Sequence, residues 1–222
     1  RTLSKAYRIQ ELIKKHGDIM DKYDPEKKIG MMIDEWGCWF DVEPGTNPGF
    51  LYQQNTMRDA LVACISLNIF NKNCDRVKMA NIAQLVNVLQ SVILTEGAKM
   101  LLTPTYYVFR MYKYHQNAQL LESFAETAQI GANGYNVPDI SESVSMDESG
   151  NIHITLGNLS LDTVKEMEIE FSEKKAKQVT ASILTGQMNA HNTFENPETV
   201  KEQPFIDFTV TVNGTIKLVV PP

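Results

Sequence analysis

Apolar residues in the first half of the chain recur at helical spacing, interrupted by two short runs with no period. Leu3, Ala6, Ile9, Leu12 and Ile13 form a helical stripe over residues 3–15. Gly17 marks a stop or break, and Asp24-Pro25 ends whatever helical turn carries Ile19 and Tyr23, because the residue before a proline avoids helical geometry. Ile29 to Ile33 is the first apolar run; Val77 to Ala83, interrupted by Lys78 and Asn81, is the second. Such runs suit strands buried on both faces, as in a parallel sheet. Between them, Thr56 reads as an N-cap with Asp59 three residues on, and Met57, Ala60, Leu61, Cys64 and Ile65 share a helix face that ends near Asn73. Residues 40–55 form a long loop with turns at Pro44-Gly45 and Pro48-Gly49. Its aromatics and amides argue for an ordered, functional loop. Thr103-Pro104 opens a further helix that runs to about His115. The order helix, strand, loop, helix, strand, loop, helix is that of a parallel sheet or barrel.

After about Asn117 the period shortens to two. Ser141–Met146 and Ile152–Leu156 flank a hairpin loop at Asp147–Gly150. Met167, Ile169 and Phe171 alternate with polar residues, and Val179–Leu184 reads as another strand. Ile206, Phe208, Val210 and Val212 alternate with Asp207, Thr209 and Thr211. They lead into Asn213-Gly214, the strongest short hairpin signal in the chain, before Ile216–Val220. The expected organisation is an α/β unit over residues 1–117 and an antiparallel β-sandwich over 118–222.

Composition narrows the function classes. The chain has 222 residues and a formal net charge of −6, room for one large or two small domains. No stretch of about 18 apolar residues suggests a membrane span. The acidic balance lacks the basic stripe of a nucleic-acid binder, and Lys174, Lys175 and Lys177 read as a solvated turn. Cys38, Cys64 and Cys74 do not make a disulfide framework, none has CxxC spacing, and the four histidines are scattered. Neither a metal nor a cofactor is expected, and Cys38 reads as a small buried residue.

The first apolar run ends in Asp34-Glu35, followed by Trp36 and Trp39. A strand that stops at a carboxylate pair among aromatics delivers charge to its C-terminal edge, where parallel barrels keep their chemistry. A solvated turn is the plainer alternative. The stretch Ile33–Gly37, then Trp39, Asp41–Gly45 and Leu51–Leu61, resembles family 51 of the glycoside hydrolases, the α-L-arabinofuranosidases. The likeness continues through Asp75–Val88 and reappears at Asn189–Phe194. It implies the C-terminal portion of a (β/α)8 TIM barrel followed by an antiparallel, jelly-roll-like sandwich. A whole barrel of that kind takes about 250 residues, so the chain is expected to carry only the barrel's last part, with a final sandwich strand beyond Pro222.

The resemblance also assigns roles. Glu35, ending the seventh barrel strand, is the expected nucleophile. Gln84 corresponds to a strand-eight glutamine that hydrogen-bonds arabinofuranose, and Trp39 to a tryptophan near the leaving group. Trp36 is placed with them on the substrate, with packing as its alternative. The acid/base is a glutamate after an asparagine on the fourth strand, expected before Arg1, so these residues carry the nucleophile without its partner. Glu43 and Glu96 read as solvated loop carboxylates, Asp34 as structural, and His191-Asn192-Thr193-Phe194 as a structural corner. The implied activity is a retaining, exo-acting α-L-arabinofuranosidase on arabinoxylan, arabinan and their oligosaccharides. A non-catalytic carbohydrate-binding or structural sandwich, and an endo-glucanase on a related barrel, are the alternatives. Members of the family often form homo-oligomers. Cytoplasmic, periplasmic and secreted locations all stay open.

Overall fold

The computed structural model describes residues 1–222. The N-terminal stripe is helical in two pieces, α1 (Thr2–Ala6) and α2 (Arg8–Tyr23). α2 runs straight through Gly17, contrary to the expected break. A Cβ at Gly17 would meet nothing within 4 Å, and one glycine costs a helix only about 1 kcal/mol, too little to end it. The helix stops at Asp24, as expected. The Asp24 carboxylate accepts from Ile29 N–H at 2.8 Å and from Arg76 Nη1 at 2.7 Å. Those hydrogen bonds, the backbone one first, hold its pKa below the usual carboxylate range.

The two apolar runs become β1 (Met31–Trp36) and β2 (Val77–Ile82), paired in parallel, with α3 (Met57–Lys72) crossing between them. β1 begins two residues later than the apolar run and extends through the carboxylate pair. Ile33 lies opposite Ala80 and Trp36 opposite Ile82, so β1 spends one more residue than β2 over the same length. This bulge turns Trp36 inward, onto Phe70 and Phe109 at centroid distances of 5.4 and 6.0 Å, while Asp34 and Glu35 stay exposed.

α3 has the expected start. Asp59 accepts from Thr56 N–H at 2.8 Å, closing the capping box. The helix is buried on nearly every side, including Asp59, Ser66 and Asn68. The stretch after β2, read as loop, holds a hairpin of β3 (Ile93–Glu96) and β4 (Lys99–Leu102) turning at Gly97. α4 (Pro104–Tyr112) follows with proline at its start, then a 3-10 turn through His115.

Every element beyond residue 117 is a strand, and every pairing there is antiparallel: β5 (Gln119–Leu121), β6 (Gln129–Ala132), β7 (Tyr135–Pro138), β8 (Ile140–Met146), β9 (Ile152–Asn158), β10 (Lys165–Ile169), β11 (Ser182–Ile183), β12 (Gln203–Pro204), β13 (Phe208–Val210) and β14 (Ile216–Val220). The two larger sheets have orders β5-β8-β9 and β10-β14-β13. The strand expected over 179–184 shrinks to β11, whose partner β12 contains Pro204 and so lacks a ladder donor. The two-residue hairpin of this portion is not at Asn213-Gly214. It is at Asn133-Gly134, where φ values of 55° and 79° make a two-residue primed turn between the paired residues Ala132 and Tyr135. Asn213-Gly214 lies in a longer connection, in which Thr211 N–H donates to Thr215 O at 2.9 Å.

The helical and sheet portions share one apolar cluster, which runs from Ile13 and Trp36 through α3 to Val137, Leu159 and Val200. α3 lies close against β9, since a Cβ at Gly157 would sit 2.5 Å from Cys64 Sγ.

Candidate active site

The bulge in β1 leaves Glu35 exposed at the strand's C-terminal end. β2 ends beside it, with Ala83 N–H donating to Trp36 O at 2.9 Å. Gln84 follows directly and is also exposed; its N–H donates to Val88 O at 3.2 Å and its C=O accepts from Val92 at 3.2 Å. Glu35 and Gln84 therefore come to the same edge of adjacent parallel strands. Trp36 does not. It is 8% exposed and belongs to the core, the packing role that stood as its alternative.

After Trp36 the chain turns through Gly37, whose φ of +133° a side chain would disfavour; a Cβ there would also press on Gln90 Oε1 at 3.3 Å. Gln90, fully buried, accepts from Cys38 N–H at 2.9 Å and donates to Asp59 O at 2.8 Å. Gln53, 2% exposed, accepts from Phe40 N–H at 2.8 Å and donates to Cys38 O at 3.0 Å. Trp39 stands between these anchors, 68% exposed. Cys38 is buried as expected. Its burial first, and then the Asp59 charge, push its thiol pKa far up, so it stays protonated.

The loop over residues 40–55 is ordered by its amides. Asn55 Nδ2 donates to Ser91 O at 2.9 Å, and Leu89 N–H donates to Leu51 O at 3.0 Å, so the loop lies along the segment that follows β2. Beside it opens a cleft of about 480 Å³ whose lining includes Phe40, Asp41, Glu43, Gln54, Arg58 and Asn189. Arg58 caps the Phe40 ring at 3.8 Å and bonds the buried Asp59 carboxylate at 3.0 Å. Glu43, expected in open solvent, lines this cleft and accepts from Gln54 N–H at 3.1 Å.

The His191–Phe194 segment comes to the same loop. His191 Nδ1 lies 3.1 Å from Asn189 O, which leaves Nε2 to accept from Gln54 Nε2 at 2.8 Å. Asn192 is the corner: its amide donates to Leu102 O and Val200 O and accepts from Val200 N–H at 2.7 Å. Sequence reasoning missed Arg58, Asn189 and above all Gln90. A buried glutamine that satisfies backbone from 52 positions away leaves no local pattern to read.

The sequence model of the α-L-arabinofuranosidase C-terminal domain matches residues 34–222. An intracellular exo-α-L-arabinofuranosidase of Bacteroides ovatus is 48% identical over 99% of this chain and 43% of its own length. The crystal structure of a family 51 arabinofuranosidase from Xanthomonas axonopodis pv. citri superimposes with a TM-score of 0.95 at 42% identity, covering 99% of this chain and 44% of that one. An α-L-arabinofuranosidase from Thermotoga maritima, solved as an arabinose complex, gives a TM-score of 0.83 at 26% identity. The chain thus spans less than half the length of these relatives. Its fold is that of their C-terminal portion, the end of a barrel with an antiparallel sandwich. The chain belongs to the family 51 α-L-arabinofuranosidases, through the C-terminal domain that defines residues 34–222.

Proposed function

We propose that this chain supplies the nucleophile of a retaining, exo-acting α-L-arabinofuranosidase that removes terminal arabinofuranosyl residues from arabinoxylan, arabinan and their oligosaccharides. Residues 1–117 would form the end of the catalytic barrel and 118–222 the sandwich braced against it. The observation that carries the reading is the bulged end of β1, which leaves Glu35 exposed beside Gln84 at the C-terminal edge of β2.

The Glu35 carboxylate attacks the anomeric carbon and forms a glycosyl ester as the glycosidic C–O bond breaks. A second carboxyl, about 5–5.5 Å away in retaining enzymes, protonates the departing oxygen and then takes a proton from the water that cleaves the ester. On this reading that group comes from outside these residues. Two displacements at one carbon return the original anomeric configuration. Gln84, a neutral amide, both donates to and accepts from furanose hydroxyls. Trp39 offers an apolar face to the sugar on the leaving-group side.

The test is Glu35→Ala and Glu35→Gln in the complete enzyme. Both should lose several powers of ten in kcat while binding of arabinose-containing ligands persists. Azide should partly restore turnover of an activated aryl arabinofuranoside by Glu35→Ala and release the product of inverted anomeric configuration, one displacement having replaced two. Near wild-type turnover by Glu35→Ala would refute the assignment.

A further inference from the structure

Trp39 poses a physical problem: a large ring that is mostly exposed has no packing to hold it in one orientation. Its backbone is held instead. Gln53 Nε2 donates to Cys38 O at 3.0 Å, fixing the peptide that precedes Trp39, and Gln53 Oε1 accepts from Phe40 N–H at 2.8 Å, fixing the peptide that follows it. One buried side chain therefore sets both dihedrals of Trp39. Gln90 holds the preceding N–H, of Cys38, at 2.9 Å and is itself anchored by Asp59 O at 2.8 Å and Thr105 Oγ1 at 3.2 Å. Phe40 is in turn capped by Arg58 at 3.8 Å. With the backbone held, the direction of the Cα–Cβ bond is set, and the two side-chain torsions are the remaining freedom of the residue.

We infer that Gln53, with Gln90 behind it, is a positioning residue that orients Trp39 for the leaving-group portion of the substrate. Neither glutamine needs to touch sugar. Gln53 acts through the two peptides it clamps, and Gln90 keeps the loop entry from rotating about Gly37. A backbone and Cα–Cβ direction fixed before binding remove part of the ordering cost from the bound state, so the contribution falls on substrate affinity rather than on the bond-breaking step. The inference rests on the reading of Trp39 given above.

The experiment is a double-mutant cycle in the complete enzyme, using an arabino-oligosaccharide. Gln53→Glu is nearly isosteric. Its ionised carboxylate still accepts from Phe40 N–H but cannot donate to Cys38 O and repels it; the assay is run at alkaline pH, because burial favours the protonated acid, which would keep both bonds. It should raise KM about tenfold with a smaller change in kcat, the size expected when one aromatic contact is weakened. Trp39→Ala should raise KM at least as much, and the double variant should be no worse than Trp39→Ala alone. An equal further loss in the Trp39→Ala background, or a loss confined to kcat, would show that Gln53 is merely structural and overturn the inference. If Trp39→Ala itself leaves KM unchanged while Gln53→Glu raises it, the reading of Trp39 fails and the inference with it. Should thermal unfolding show that Gln53→Glu does not fold, Gln90→Met releases the Cys38 N–H and must show the same dependence on Trp39.

Discussion

His115 lies where the helical half meets β8 and β9, with Nδ1 2.8 Å from Ser145 Oγ and Nε2 3.1 Å from Thr155 Oγ1. Tyr112 packs against it, and His153, stacked on Tyr114 and 2.8 Å from Asp147 Oδ2, acts on it electrostatically. Burial first, and the repulsion of His153 second, lower its pKa from 6.5 to about 4. The sign follows from the neutral form being the native one. Between about 6.5 and 4 the unfolded chain binds a proton that the folded chain refuses, so stability falls as pH drops through this window and levels off below it. The midpoint of thermal unfolding should therefore drop between those pH values, and His115→Gln should flatten that part of the curve. A slope unchanged in the variant would assign the effect elsewhere. The residue scale was also the hardest to read in advance. Glu35 and Gln84 each follow an apolar run, so their place at strand ends was readable, while their roles and that of Trp39 are what the family resemblance implies. His115, Gln53 and Gln90 take their roles from partners far away in sequence, and no periodicity marks them.

At the scale of elements, two glycines make opposite predictions. Gly17 sits inside α2 with free space around it, so Gly17→Ala should stabilise the chain by about 0.5–1 kcal/mol through helix propensity and a less flexible unfolded state. Gly134 has a φ of +79° in the two-residue turn between β6 and β7. Gly134→Ala should destabilise by about 1 kcal/mol, since an alanine resists that geometry. Urea denaturation of the two variants should move the midpoint in opposite directions. Long amphipathic or capped segments such as α3, and the largely apolar runs of β1 and β2, were legible because their patterns extend over several residues. The β6–β7 hairpin was not, since its strands are four residues each and are interrupted by Gly131 and Pro138. Asn213-Gly214 drew attention through its cleaner alternating flanks, though its connection is longer.

Across the whole molecule, the helical and sheet portions are joined by polar groups as well as by the apolar cluster. Asn68, 1% exposed on α3, accepts from Tyr112 at 2.9 Å, Ser143 at 2.8 Å and Thr155 at 2.9 Å, and donates to Ser141 at 3.0 Å. Beside it, Lys72 pairs with the buried Glu142, which also accepts from Ser123. Asn68→Ala strands several buried hydroxyls at once and should cost about 3 kcal/mol. The loss should appear together in tryptophan fluorescence, which reports on the helical portion through Trp36 and Trp39, and in amide hydrogen exchange of β8 and β9, which reports on the sheet portion. Separated transitions in the wild-type chain would mean that the junction does not couple the two portions. The fold class was legible because the period changes at one place, but this junction was not, since its members are ordinary polar residues until the chain closes on itself. The start of α3 carries the same dependence into time. Its first donors, Met57 N–H and Arg58 N–H, are satisfied by Ala190 O and Met188 O at 3.0 Å each. A ribosome delivers the helix long before it delivers those carbonyls. During synthesis the helix must wait with its first turn open to water, and the loop that precedes it waits as well. The edge that bears Glu35 is thus finished only after the chain has passed Ala190, so a chain ending before that point would hold Glu35 without the carbonyls that complete the start of α3.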